Sequence, residues 1–150
     1  MHQILDRPRF PHQFYDHCKR FHLASPGIFV FGSNLAGIHG AGAARDAHRH
    51  FDAHYGVGSG FTGNSYALPT KGKRLEILNI KEIEYYVEEF VCWTISENKH
   101  VIYPHWYFVT PIGTGLAGFK HSQIAPLFQG AVNCWFPDIW RPYIFESHSV

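Results

Sequence analysis

One construction, used twice, most limits what this chain can fold into: a short apolar strand that runs into a glycine-rich turn and then into a helix. The first copy begins with Gly27-Ile28-Phe29-Val30-Phe31, turns through Gly32-Ser33-Asn34-Leu35-Ala36-Gly37-Ile38-His39-Gly40-Ala41-Gly42, and continues into the helical stretch 43–51. The second begins with Tyr107-Phe108-Val109-Thr110-Pro111-Ile112 and turns through Gly113-Thr114-Gly115-Leu116-Ala117-Gly118-Phe119, with a helix expected from His121 or Ser122 towards Gln129. Continuous β-branched and aromatic runs suit strands covered on both faces, which is the pattern of an α/β sheet. Glycine allows sharp turns and a close approach of backbone to ligand, so amide N–H groups can converge on one anion, and a helix N-terminus adds partial positive charge. Two such turns at the carboxyl ends of strands in one small domain favour a phosphate or diphosphate ligand.

The remaining elements fit the same class. Tyr55 to Gly63 reads as a loop. Asn64 to Thr70 reads as a strand with Pro69 at its exit. Ile80, Ile83, Val87, Phe90, Val91 and Ile95 repeat at helical spacing, with Asn79 as N-cap. Pro126 falls early in the next helix and shortens it. A last strand is expected around residues 131–136, followed by a tail in which Trp135, Trp140 and Tyr143 pack over an edge. A short helix is expected from His12 to Phe21, where Phe14, Cys18 and Phe21 or His22 share one face. The expected architecture is a single three-layer α/β/α domain with a mixed sheet: residues 1–25 an N-terminal extension bearing Pro8 and Pro11, 28–130 the core, and 131–150 a C-terminal strand and tail.

Composition narrows the function classes. Apolar residues make up 45% of the chain and charged residues 17%, the latter below the roughly 25% usual for soluble domains, which excludes a disordered chain. Lysine plus arginine (13) nearly balances aspartate plus glutamate (12), so no basic field recruits nucleic acid. No apolar run approaches the roughly 20 residues of a bilayer span, and the start lacks a signal peptide's apolar core. Cys18, Cys92 and Cys134 are odd in number and widely spaced, which fits a reducing, cytoplasmic setting.

Gly113, Gly115 and Gly118 satisfy G-x-G-x-x-G, and Asp138 lies at the distance expected of a ribose-binding acid, so an NAD-dependent oxidoreductase enters as an alternative. Position opposes it. Such a fingerprint opens a dinucleotide-binding domain, whereas here it falls late, and the WFPDIW stretch around Asp138 is too rich in Pro and Trp for a regular second strand.

The pattern resembles the macrodomain. Ile112-Gly113-Thr114-Gly115-Leu116-Ala117-Gly118-Phe119 is similar to that family's second phosphate loop, and Phe31-Gly32-Ser33-Asn34 with His39-Gly40-Ala41-Gly42-Ala43-Ala44 is similar to its first. Tyr66-Ala67-Leu68-Pro69-Thr70-Lys71 resembles the middle strand of the branch that holds terminal ADP-ribose glycohydrolases and ADP-ribose phosphatases. The combined pattern also resembles that of small bacterial and phage macro-like proteins. The resemblance covers about residues 28–130. It implies an ADP-ribose-type ligand, free or attached to a protein or nucleic acid, with no cofactor and no obligatory metal. The backbone of Gly113 to Gly118 would hold the diphosphate and Phe119 would cover the ribose nearby. Asn34 would bond the terminal ribose while Gly40 and Gly42 let the chain pass beneath it.

The resemblance also frames a reaction, hydrolysis of a bond at the terminal ribose. Lys71 is a candidate nucleophile or phosphate-binding cation, set against an ordinary exposed lysine beside Lys73 and Arg74. His39 is a candidate general acid–base, set against a residue that only caps the loop. Two departures bear on catalysis: Ala44 stands where one hydrolase branch carries Asp, and Ala117 where the lysine-using branch carries an acidic residue. Asp46, two residues past Ala44, sits about 200° further round the helix and is no replacement. These departures favour a reader or sponge of ADP-ribose-derived nucleotides as the non-catalytic alternative. Among the 12 histidines, His50 and His54 have helical zinc-ligand spacing, but without a third ligand they read as solvent-facing residues. Trp135 and Trp140 are weighed as adenine-stacking residues against the plainer role of covering the core.

Overall fold

The computed structural model describes residues 2–3, 5–21 and 27–145. His22, which entered the reading of the N-terminal segment, lies outside the described residues, as does the end of the tail, 146–150. In chain order the elements are β1 (His2–Gln3), β2 (His12–Tyr15), β3 (Arg20–Phe21), β4 (Ile28–Asn34), α1 (Gly42–His50), β5 (Gly60–Thr62), β6 (Ser65–Lys71), α2 (Ile80–His100), β7 (Tyr107–Val109), α3 (His121–Ile124) and β8 (Cys134–Pro137). Two 3-10 turns, Ala125–Phe128 and Asp138–Tyr143, complete the set. Six strands form one mixed sheet in the order β2-β8-β7-β4-β6-β5. All neighbouring pairs are parallel except β5 with β6. β1 and β3 pair separately.

Strand pleating explains why the central runs are apolar throughout. Side chains alternate between faces, so a strand covered on both sides needs two apolar sets. Phe29, Phe31, Ala67 and Phe108 pack on one face with Ala44 and Ala47 of α1. Ile28, Val30, Leu68, Tyr107 and Val109 pack on the other with Ile83, Val87 and Phe90 of α2. The small alanines of α1 let that helix sit close to large sheet phenylalanines, and Phe29 stacks on Phe51 just past the helix at 4.4 Å. These layers realise the expected α/β class.

The long helix begins where its sequence indicates. Asn79 Oδ1 accepts from the Glu82 N–H at 2.9 Å while Glu82 Oε1 accepts from the Asn79 N–H, a reciprocal cap. Its buried stripe runs Ile83, Val87, Phe90, Val91, Thr94, Glu97, with Ile80 and Ile95 half-buried at the margin. Glu97 is the surprise in an apolar seam: its carboxylate accepts from the Tyr107 hydroxyl at 2.8 Å and from the His105 backbone and ring. Burial, with Glu97 beside it, pushes the Tyr107 phenol far above its ordinary range.

Five elements differ from expectation. Residues 12–15 are a strand, not the start of a helix: β2 pairs with β8 from His12↔Cys134 to Tyr15↔Pro137. Its residues obey a period of two, with Tyr15 stacked on Phe108 and Phe14 turned to Phe136. The glycine-rich loop 55–63 contains β5, joined to β6 by a two-residue Gly63-Asn64 turn, with Thr62 opposite Ser65. Gly63 has φ +58, and a Cβ there would meet the Asp52 carbonyl oxygen at 2.2 Å. β7 stops at Val109, because Thr110 turns its hydroxyl onto the Val30 carbonyl and the chain then bends through Pro111. The helix after the second loop is only His121–Ile124 before it tightens around Pro126. It lends that loop little of the helix-end charge expected of it. Pro69 lies within β6 rather than at its exit, tolerated because β5 pairs no further than Ala67.

Candidate functional site

β4, β6 and β7 run parallel, so their carboxyl ends open on one edge of the sheet, where α/β proteins place ligands. A cleft of about 600 Å³ lies there. Gly32, Ser33 and Asn34 from β4, Thr70 and Lys71 from β6, and Thr110 after β7 line it. Residues 40–44 form one wall and residues 111–117 the other. The two glycine turns therefore face each other across a common space.

Most expected binding residues come together here. Gly32, Ser33, Asn34, Gly40, Ala41, Gly42, Thr70, Gly113, Thr114, Gly115, Leu116 and Ala117 all line the cleft, as does Lys71. Gly118 and Phe119 do not. Gly118 closes a turn by donating to the Gly115 carbonyl, while Phe119 packs against the core and donates its N–H to the Gly113 carbonyl. Phe119 therefore supports the loop from behind instead of covering a ribose.

His39 is also elsewhere. Its side chain is 0% exposed. The ring meets Phe31 edge-on at 5.4 Å, and its Nε2 lies 2.9 Å from the His54 carbonyl oxygen. Nδ1 has no hydrogen-bond partner among the described residues. A ring sealed behind the loop cannot reach a ligand in the cleft, so a direct acid–base role is withdrawn. Its position fastens the first loop to the 54–58 segment.

Asn34 lines the cleft but works on its own loop. Its Nδ2 donates to the Ile38 carbonyl at 2.8 Å and its Oδ1 accepts from the Ile38 N–H at 3.0 Å. Substituting Asn34→Ala removes both bonds and is expected to cost about 1–3 kcal/mol of stability in chemical denaturation, in the range of lost paired hydrogen bonds.

The glycines divide by what surrounds them. Gly37 has φ +71, and a Cβ there would stand 2.4 Å from the Gly56 carbonyl carbon. Its identity is dictated by the fold. Gly40 and Gly115 differ: neither has a positive φ, and a Cβ at either would meet nothing within 4 Å. Both lie on the cleft wall. The fold leaves them room for a side chain, and what glycine provides there is an unobstructed cleft.

Polar groups complete the picture. The N–H groups of Gly113, Gly115, Leu116 and Ala117 have no hydrogen-bond partner among the described residues. Opposite them, α1 begins without a side-chain cap and without an acidic residue in its first turn. Lys71 is the one charged side chain among the described residues lining the cleft; there is no carboxylate, imidazole or thiol among them. Lys71 makes no ion pair with a described residue. The site is electropositive and rich in backbone donors.

Residues the sequence did not mark for binding also line it: Ile38, Ala43, Ala44, Leu75, Thr110, Pro111 and Ile112. Ile38, Leu75 and Leu116 are exposed aliphatic side chains from three separate turns, giving the cleft an apolar margin. Leu75 has φ +64, an unfavourable backbone for a leucine, which nothing in its sequence neighbourhood signals. Trp135 and Trp140 are not part of the cleft lining.

Compared with family models, with curated proteins and with solved structures, the chain shows no match.

Proposed function

We propose that this protein binds ADP-ribose or a closely related nucleotide, with the diphosphate between the two glycine loops. One observation carries the reading: residues 40–44 and 111–117 face a single cleft that offers unpartnered backbone N–H groups, one lysine and no carboxylate among the described residues. Such a surface favours a multiply charged anion, since amide donors and an uncapped helix start both stabilise negative charge. The apolar margin of Ile38, Leu75 and Leu116 suits the flat face of a base or sugar. The likeness of both loops to those of macrodomains supports ADP-ribose among diphosphate nucleotides.

The cleft favours a binding module, a reader or sponge, over a hydrolase. General acid–base chemistry needs a group of suitable pKa beside the substrate, and Lys71 is the one titratable side chain among the described lining residues. The hydrolase reading, an ADP-ribosyl hydrolase or ADP-ribose phosphatase, therefore rests on Lys71 alone. The three cysteines are all unpaired, which supports a cytoplasmic setting. Among the described residues no helix is long and apolar enough to cross a membrane.

Titration calorimetry with ADP-ribose, ADP, AMP and NAD, beside a release assay on ADP-ribosylated protein, tests the proposal. ADP-ribose binding without turnover selects the module, and turnover abolished in Lys71→Ala selects the hydrolase. Lys71→Ala is expected to weaken ADP-ribose about ten- to hundredfold, the worth of one charge-assisted hydrogen bond. Failure of every diphosphate nucleotide to bind overturns the proposal, and a preference for intact NAD points to the oxidoreductase alternative.

A further inference from the structure

Away from the cleft, at the turn that follows β2, three consecutive residues bring together a carboxylate, an imidazole and a thiol. One donor atom from each of Asp16, His17 and Cys18 lies within 4.8 Å of the others. The turn is locally ordered: the Lys19 N–H donates to the Asp16 carbonyl at 3.1 Å, and the Cys18 N–H donates to Asp16 Oδ1 at 2.9 Å. Cys18 Sγ lies 3.6 Å from His17 Nε2. The other ring nitrogen, Nδ1, is bonded to Asp138 Oδ1 at the start of the final 3-10 turn.

We infer that Asp16, His17 and Cys18 form a binding site for a divalent transition-metal cation, with zinc the best fit. Ligand chemistry selects the class: a thiolate and an imidazole favour zinc and its neighbours, whereas calcium and magnesium call for all-oxygen shells. Geometry agrees. Nitrogen at about 2.0–2.1 Å and sulfur at about 2.3 Å from a tetrahedral zinc stand about 3.5 Å apart, close to the observed separation. The Nδ1 bond to Asp138 leaves Nε2 as the metal-facing nitrogen, and a carboxylate behind a ligating histidine fixes its ring orientation and strengthens it as a donor.

Three protein ligands leave a fourth position open to solvent. Coordination replaces the Cys18 thiol proton with the metal, so binding releases a proton to the buffer. Since β2 is the edge strand of the sheet and Asp138 follows β8, the site also ties that edge to the C-terminal segment. The glycine cleft has no part in it, and its standing is independent of the nucleotide reading.

The test is titration of the chelator-stripped full chain with zinc chloride, together with cobalt(II) spectroscopy. One equivalent is expected to bind with cobalt bands of tetrahedral intensity and a thiolate-to-cobalt charge-transfer band. Cys18→Ser is expected to abolish that band and His17→Ala to abolish the tight equivalent, while Cys92→Ser changes neither. Asp138→Asn is expected to weaken the metal about 10- to 100-fold while retaining the charge-transfer band, the signature of a group that acts through His17. Circular dichroism of each variant checks the fold, which substitutions at these solvent-accessible positions should leave intact. No zinc binding, or an equivalent that survives unchanged in Cys18→Ser, overturns the assignment.

Discussion

The double substitution Gly40→Ala, Gly115→Ala is expected to weaken ADP-ribose binding about thirtyfold or more while leaving the folded state at least as stable as before. The two halves of that result have separate physical origins. Neither glycine needs a positive φ and neither has a neighbour within 4 Å of a Cβ, so alanine restricts the unfolded chain and adds no native strain, a change worth about 0.4–1 kcal/mol in favour of folding. A methyl group set into the path of a closely held ligand costs about 1–3 kcal/mol each. Two of them on opposite walls give the stated loss. Gly37→Ala is the contrasting control: with φ +71 and a prospective Cβ 2.4 Å from the Gly56 carbonyl carbon, it should lose stability outright. Calorimetry on the double variant, paired with a urea melt, reads both quantities. If ADP-ribose binds the variant as tightly as the parent, the cleft is not where the diphosphate lies.

That contrast shows why the loops were legible in the sequence while the role of each glycine within them was not. A strand, a glycine cluster and a helix are local patterns, so β4, α1 and the capped start of α2 could be read from neighbouring residues. Whether a given glycine serves a turn or clears space depends on which distant backbone lies beside it. Gly37 is pressed against residues 56–57, and Gly40 is not. His39 shows the same limit. Its place inside the first glycine loop made it a candidate acid–base, but the Asn34–Ile38 bonds and the packing on 54–58 set its ring beneath the loop. β2 drew a helical reading because its strand character comes from pairing with β8, more than a hundred residues away in sequence, an example of tertiary context overriding local spacing. β5 is different. The Gly63-Asn64 pair was a readable hairpin turn, obscured by the glycines at 56, 58 and 60.

Trp140→Ala is expected to cost about 3–5 kcal/mol, the usual range for emptying a large aromatic site, and to leave nucleotide affinity unchanged at temperatures where the variant stays folded. Trp140 is 0% exposed although it lies near the end of the described chain. Its Nε1–H donates to His121 Nδ1 at 3.0 Å, and its ring sits 5.2 Å from that of Phe128 and 6.0 Å from that of Phe136. Removing the indole therefore opens a cavity between the last 3-10 turn and α3 and leaves His121 Nδ1 without this donor. Against a total stability of about 5–15 kcal/mol for a domain of this kind, the loss is a large fraction. The measurement that decides between the two roles weighed for this residue is a denaturation midpoint taken beside an ADP-ribose titration. A large fall in midpoint with unchanged affinity makes Trp140 part of the core. An unchanged midpoint with lost affinity would instead make it a wall for the adenine, and the cleft would have to extend towards the C-terminal segment. Trp140→Phe refines the outcome: retaining most of the ring's burial while losing the bond to His121, it should recover the greater part of the stability if packing, rather than the hydrogen bond, is what the indole contributes.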